Sequence, residues 1–290
     1  MSTTTIPTRT LAAPFERSGR GVHRGLLARV RVEPAPFGTG LVFTNLDGTE
    51  AIGAQIGHAV SGSGATVLAQ GEMRVETTEH LLAALYGCGV TDARVVIDGE
   101  EVPIMDGSAR PWVEAVRQVG VVDGPPARCL AVQRAVRVER GEAYAAIEPF
   151  DGCRVEVVVD YGDDMGPRGR AGVELAGDAF AREVAWARTF VMAKDIPRLR
   201  AAGKGRGADI ENTVIWGPQG VENPDGLRAD DESVRHKLLD AVGDLALLGA
   251  PWRGRVEVYR GGHALHHDLI RALLGDPTAW TWLGPSGDSR

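Results

Sequence analysis

An α+β fold built from two related halves is what this sequence predicts, and three observations predict it. The chain has 290 residues with 43% apolar content, enough for one large core or two ordinary ones. Pro125 and Pro126 interrupt the pattern, which places a boundary near residues 122–128. On both sides of it the order strands, helix, strand, helix is read. The expected domains are therefore residues 1–125 and 126–290. Charged residues make up 24%, and 38 glycines and 16 prolines are spread through the chain, so extended disorder is not expected.

From Thr8 to Val32 apolar and polar residues alternate around Gly19, Gly21 and Gly25, which predicts two short strands joined by a glycine turn. Strands are expected near Gly40–Thr44 and Thr66–Leu68. TTEHLLAALYGCG then reads as a helix: Thr77 or Thr78 caps it, Leu81, Leu82 and Leu85 form its apolar side, and Gly87 or Gly89 ends it. ARVVIDG is a buried strand, PIMDGSA a loop, and ARPWVEAVRQVG a second helix ending at Gly120. Past the prolines, CLAVQRAVRVER, AYAAIEPF and CRVEVVVD open a new run of strands. DESVRHKLLDAVGDLALLG is the longest helical pattern, RGRVEVYR the next strand and GGHALHHDLIRALLG the closing helix. No short-period repeat is visible, and the shared order suggests at most a distant duplication of the halves.

The formal charge is −7, with arginines and acids interspersed and no basic stripe, which argues against nucleic acid as a partner. Cys88, Cys129 and Cys153 are odd in number and lack CxxC spacing, as expected in a reducing, cytoplasmic setting. The opening MSTTTIPTRTLAAPFERSGRG has no signal-peptide pattern, and no stretch reaches the ~18 apolar residues of a membrane span. A membrane is expected to matter only through the substrate.

Seven histidines occur, His23, His58, His80, His236, His263, His266 and His267, and three of them stand at the start or on one side of expected helices beside acids. His236, Asp240 and Asp244 are spaced i, i+4, i+8, a drift of only about 40° per step around a helix. A solvated polar face explains that spacing. So does a pair of ligands, His236 and Asp240, on consecutive turns around one metal ion, with Lys237 and Asp244 as charged neighbours. Glu79 and His80 open a helix that is otherwise apolar, as a helix-start acid and a partly buried histidine, or as general base and third ligand. His263 follows Gly261 and Gly262 where a loop enters a helix. It reads as a capping or surface histidine, or as a cation for an oxyanion and a proton donor to a leaving amine. His266 and His267 are expected to face solvent or to support the site from behind. Two histidines and a carboxylate also describe the iron oxygenase triad, but ligands one turn apart beside a base-type Glu79 favour hydrolysis. No HExxH metallopeptidase motif is present.

Six segments in order resemble one known family. They are SGRGVHRG (18–25), TTEHLLAALYGCGVTDARV (77–95), EVPIMDGSARPWV (101–113), ARTFVM (187–192), DESVRHKLLDAVGDLALLG (231–249) and GGHALHHDL (261–269). The family is that of the UDP-3-O-acyl-N-acetylglucosamine deacetylases, zinc enzymes of lipid A biosynthesis. The resemblance implies helices sandwiched between sheets and a site between the halves. It implies Zn²⁺ held by His80, His236 and Asp240, Glu79 as general base and His263 as general acid. It further implies that Thr189 supports the oxyanion, that Lys237 and Asp244 flank the site, and that Phe190 shapes the substrate passage, with an acyl tunnel near Met192, Ile196 and Leu199. The implied substrate is an acylated UDP-sugar, and a monomer is expected. His266 departs from the family's usual Asn, and GRGADIENTVIWG (205–217) matches only loosely, with Glu211 and Asn212 in place of its acidic–Asn pair. A non-catalytic relative that binds a nucleotide sugar or a partner protein is the alternative; retention of all five central residues argues for catalysis.

Overall fold

Strand Leu27–Pro34 shows why this chain forms half-buried sheets: its residues alternate strictly, with Ala28, Val30 and Val32 buried and Leu27, Arg29 and Arg31 exposed. It is the second strand of a five-stranded sheet in the order Phe15–Arg20, Leu27–Pro34, Ala93–Asp98, Leu41–Thr44, Ala51–Gly53. The computed structural model describes residues 6–60, 62, 64–162 and 166–284. The outer ends of the two expected domains, 1–5 and 285–290, lie outside the described residues.

A second, seven-stranded sheet is drawn entirely from residues after the Pro125–Pro126 pair. Its centre is Trp252–Tyr259, which pairs in parallel with Cys153–Asp160 and antiparallel with Ala143–Glu148. Strand Val121–Pro126 pairs instead with Pro7–Leu11 at the chain's start. The opening segment thus contains three strands, Pro7–Leu11, Phe15–Arg20 and Leu27–Pro34, where two were expected. The extra break falls at Ala12–Pro14, because a proline forbids a continuous ladder there.

Six helices are present among the described residues: α1 (Glu79–Gly87), α2 (Arg110–Val119), α3 (Ala179–Glu183), α4 (Ile196–Ala201), α5 (Glu232–Leu245) and α6 (His263–Leu274). α1 packs on α2 and α5, α2 on strand Phe15–Arg20, α5 on the Cys153–Asp160 strand and its neighbour, and α6 on Val136–Arg140 and Ala143–Glu148. Side chains from both sheets and these helices share one core, including Val30, Val95, Leu81, Trp112, Leu239 and Val256. The fold is a mixed α+β one. α3 and α4 are short and were not foreseen; neither carries a long apolar period.

α5 is buried nearly all round, His236, Asp240 and Asp244 included, so the solvated-face explanation of that spacing is excluded. Gly249, with φ 75°, closes the short turn that follows it. At Gly243 the helix backbone meets α1 so closely that a Cβ would lie 2.1 Å from the Glu79 carbonyl oxygen. Only glycine permits that crossing, and the crossing brings Glu79 and His80 against α5.

Candidate active site

α1 begins without the expected cap. The Thr78 hydroxyl bonds the Thr66 carbonyl (3.3 Å) and the Thr77 hydroxyl bonds Glu101 (3.0 Å), so neither serves the helix's own amides. Thr77 holds φ at 57°, a conformation costly for a β-branched residue. The only other non-glycine residues with positive φ among those described are Met105 and Arg260, the latter three residues before His263. Backbone strain therefore stands just before His80 and His263 and within the PIMDGSA loop.

His80, His236 and Asp240 are all buried and offer candidate ligand atoms within 4.8 Å of one another. The His236 Nε2 lies 3.2 Å and the His80 Nε2 3.9 Å from one oxygen of Asp240. Four ligands at zinc distances stand about 3.4 Å apart in a tetrahedron, so the donors fit such an ion. The His236 Nδ1 meets the Ala187 carbonyl at 3.0 Å, which fixes the ring with its other nitrogen toward the group. His80 has a buried Nδ1 with no hydrogen-bond partner among the described residues. Burial, aided by the neighbouring His236, pushes the His80 pKa down to about 3, so its imidazole is neutral and able to donate a lone pair. Asp240 is held well below the carboxylate range although burial opposes this, because Lys237 and His236 stabilise its charge; Lys237 bonds it at 2.9 Å.

Beside this trio stand Glu79 and His263, with the His263 Nε2 3.8 Å from a Glu79 oxygen. Burial, with the charges of Asp244 and Asp240, raises Glu79 to about 7 despite the nearby His263. Burial would lower His263, but Asp244, bonded to its Nδ1 at 2.7 Å, raises it to about 10. A carboxyl that exchanges its proton near neutrality thus faces a cationic imidazole.

Asp244 is fully buried and held well below the usual range; burial opposes this, and the charge of His263 with the hydrogen bonds from His263 and His266 outweighs it. His266 and His267, expected to face solvent or to sit behind the site, are 2% and 5% exposed and both turn toward Asp244, so the solvent-facing alternative is wrong. Helix α6 packs on α5 as well as on the Val136–Glu148 hairpin, and His266 and His267 face the Asp244 and Thr66 side chains. Thr66, which sequence reasoning did not single out, donates its amide to Glu79 (3.0 Å) and its hydroxyl to Asp244. No local signal marked it, since its partners are distant in sequence.

Glu79, His80, His236, Asp240 and His263 line a cleft of about 680 Å³. Thr189 and Phe190 lie in its wall, and Phe190 stands edge-on to Tyr161 and His236. Met192, Ile196 and Leu199 add apolar side chains to the lining, beside the charged Asp195, Arg198 and Arg200. Of the loosely matching segment, Asn212 is buried and braces its own loop through Gly207 and Asp209, while Glu211 is exposed.

A mixed α+β fold with two buried imidazoles, one carboxylate and a neighbouring carboxyl–imidazole pair in a cleft defines the class of candidate metal-dependent hydrolases. The model of the family UDP-3-O-acyl N-acetylglycosamine deacetylase matches residues 8–275. Curated relatives named UDP-3-O-acyl-N-acetylglucosamine deacetylase include one from Anaeromyxobacter dehalogenans, 39% identical over 97% of this chain and 92% of its own. Another, from Myxococcus xanthus, is 38% identical over 94% and 88%, and a third, from Brucella ovis, 41% identical over 94% and 96%. The chain belongs to the UDP-3-O-acyl N-acetylglycosamine deacetylase family. Among the described residues no helix is long and apolar enough to cross a membrane.

Proposed function

We propose that this protein hydrolyses the acetamide of UDP-3-O-(hydroxyacyl)-N-acetylglucosamine, releasing acetate and a free amine in lipid A biosynthesis, with Zn²⁺ as its metal. The observation that carries this reading is the meeting of the His80–His236–Asp240 trio with the Glu79–His263 pair at 3.8 Å in one cleft. The names of the relatives support the substrate, and the apolar side chains of Met192, Ile196 and Leu199 suit an acyl chain.

His80, His236 and Asp240 would hold the zinc ion, which would supply Lewis-acid polarisation of the acetamide and a lowered pKa for a bound water. Glu79, 3.8 Å from His263 and beside the trio, takes the water's proton as the water adds to the carbonyl carbon. Cationic His263 and the Thr189 hydroxyl stabilise the negative charge that develops on the carbonyl oxygen. The C–N bond then breaks, and His263 or Glu79 gives the departing nitrogen its proton. Lys237 and Asp244 set the charge of Asp240 and His263, and Phe190 positions the sugar end of the acyl passage. The halves 1–125 and 126–290 act as two domains of a cytoplasmic monomer, meeting at this site.

Acetate release from UDP-3-O-(hydroxyacyl)-N-acetylglucosamine tests the proposal. Release by the zinc-loaded protein, abolished in Glu79→Ala and after chelation, is expected. Absence of release across several acyl lengths would sink it and favour a binding role without catalysis.

A further inference from the structure

Asp244 contacts three residues of one helix, α6, yet only His263 among them enters the proposed reaction. One Asp244 oxygen, Oδ2, accepts from the Nδ1 of His263 and from the Nδ1 of His266, each at 2.7 Å. The other oxygen takes the Thr66 hydroxyl, with His267 Nε2 3.7 Å away. The His263 and His266 rings are close to perpendicular, 84° apart with centroids 6.2 Å apart, so the two donors approach Oδ2 from different directions. We propose that His266 is a positioning residue: by fixing the Asp244 carboxylate, it holds the His263 imidazole with its Nε2 turned toward Glu79. This inference rests on the function proposed above.

The last torsion of an aspartate is broad and roughly two-fold, so a carboxylate held by one donor turns with that donor. His263 is the first residue of α6 and follows Gly261 and Gly262, so the backbone before it adds little restraint. A carboxylate anchored only by His263 and Thr66 would leave the His263 ring free to tilt about its single strong bond. His266 supplies the missing restraint: it lies on the same helix, is 2% exposed, and its Nδ1 is committed to Oδ2. Burial keeps its pKa below the ordinary histidine value, so it is a neutral donor and does not compete with His263 as a second cation. The geometry also fixes the protons: neutral His266 carries its single proton on Nδ1, while cationic His263 gives its Nδ1–H to Asp244 and turns its Nε2–H toward the chemistry.

The test compares zinc-loaded wild type with His266→Leu, which removes the donor and keeps bulk, and His266→Asn, whose amide nitrogen occupies the place of Nδ1. Kinetics of acetate release are read beside ¹H–¹⁵N spectra of the histidine rings. His266→Leu is expected to lower kcat by about tenfold or more, the usual effect of losing a partner that orients a catalytic group. KM and zinc content should stay unchanged, and the signal of the His263 Nδ1 proton, expected in the wild-type spectrum, should be lost to exchange. His266→Asn should restore both kcat and that proton. The proposal is overturned if His266→Leu retains both, or if Asn rescues neither. Should His266→Leu fail to fold, the wild-type spectrum decides alone: His266 protonated on Nδ1 supports the assignment, and on Nε2 it refutes it. If wild type releases no acetate, the proposed function fails while the ring spectra still judge the positioning.

Discussion

Glu79 and His263 face each other with unequal holds on a proton, one carboxyl raised to about 7 and one imidazole raised to about 10. Replacing His263 by alanine removes a charged donor from the developing oxyanion, worth about 3–4 kcal/mol. Turnover should fall by several hundredfold while zinc content, measured by elemental analysis, stays at the wild-type level; near-normal turnover would disprove the acid role. At this scale the sequence was most informative where a polar residue interrupted an apolar helix, as Glu79 and His80 do. It was uninformative for Thr66, whose two links run from its backbone amide and its hydroxyl to Glu79 and Asp244, the latter 178 residues away. Nor could it orient His266 and His267, because a helix that carries histidines at neighbouring positions does not reveal which side its neighbours cover.

Among the elements, α1 and α5 form the crossing on which the site is built. The Gly243 backbone sits against the Glu79 carbonyl where any side chain would collide. Gly243→Ala must push the helices apart by overpacking a tight contact, a change that typically costs about 1–3 kcal/mol. A lower melting temperature and reduced zinc occupancy are expected together, since His80 lies on one helix and His236 and Asp240 on the other. An unchanged melting curve would show that the helices separate without cost. Helix existence was legible from period and terminal glycines, and α2 appears where ARPWVEAVRQVG placed it. The cap of α1 was misread because Thr77 and Thr78 resemble a local cap in sequence but spend their hydroxyls on Glu101 and Thr66.

Across the whole molecule, a buried ion pair ties the segment before Thr189 to the start of α5. Glu232 receives the Arg188 backbone amide (3.1 Å) and guanidinium (2.8 and 3.0 Å) and the Arg228 amide (2.7 Å). Burial alone would raise its pKa, but these hydrogen bonds hold it below the ordinary glutamate value. Because the folded pKa is depressed, the pair's contribution is complete above the unfolded value of about 4.3 and is lost as pH falls through the lower folded value. Glu232→Ala leaves Arg188 buried without its partner, so at pH 7 it should cost about 3–5 kcal/mol. Urea unfolding of both proteins should show that gap narrowing as the pH falls below 4; a gap independent of pH would refute the linkage. His236 depends on the same segment, since its ring is fixed by the Ala187 carbonyl next to Arg188.

The α+β class, the main helices and most of the candidate site residues were legible in the sequence, because periodicity, helix ends and the i, i+4 spacing of His236 and Asp240 are local properties. The six ordered segments made the family legible, since each preserves a chemistry-bearing group or a backbone turn. Only the tertiary structure decided which polar atoms meet. The burial of the whole α5 polar face, the approach at Gly243 and the convergence of Thr66, Asp244 and the α6 histidines all join segments far apart in the chain. Their geometry depends on how sheets and helices pack, which no local pattern encodes.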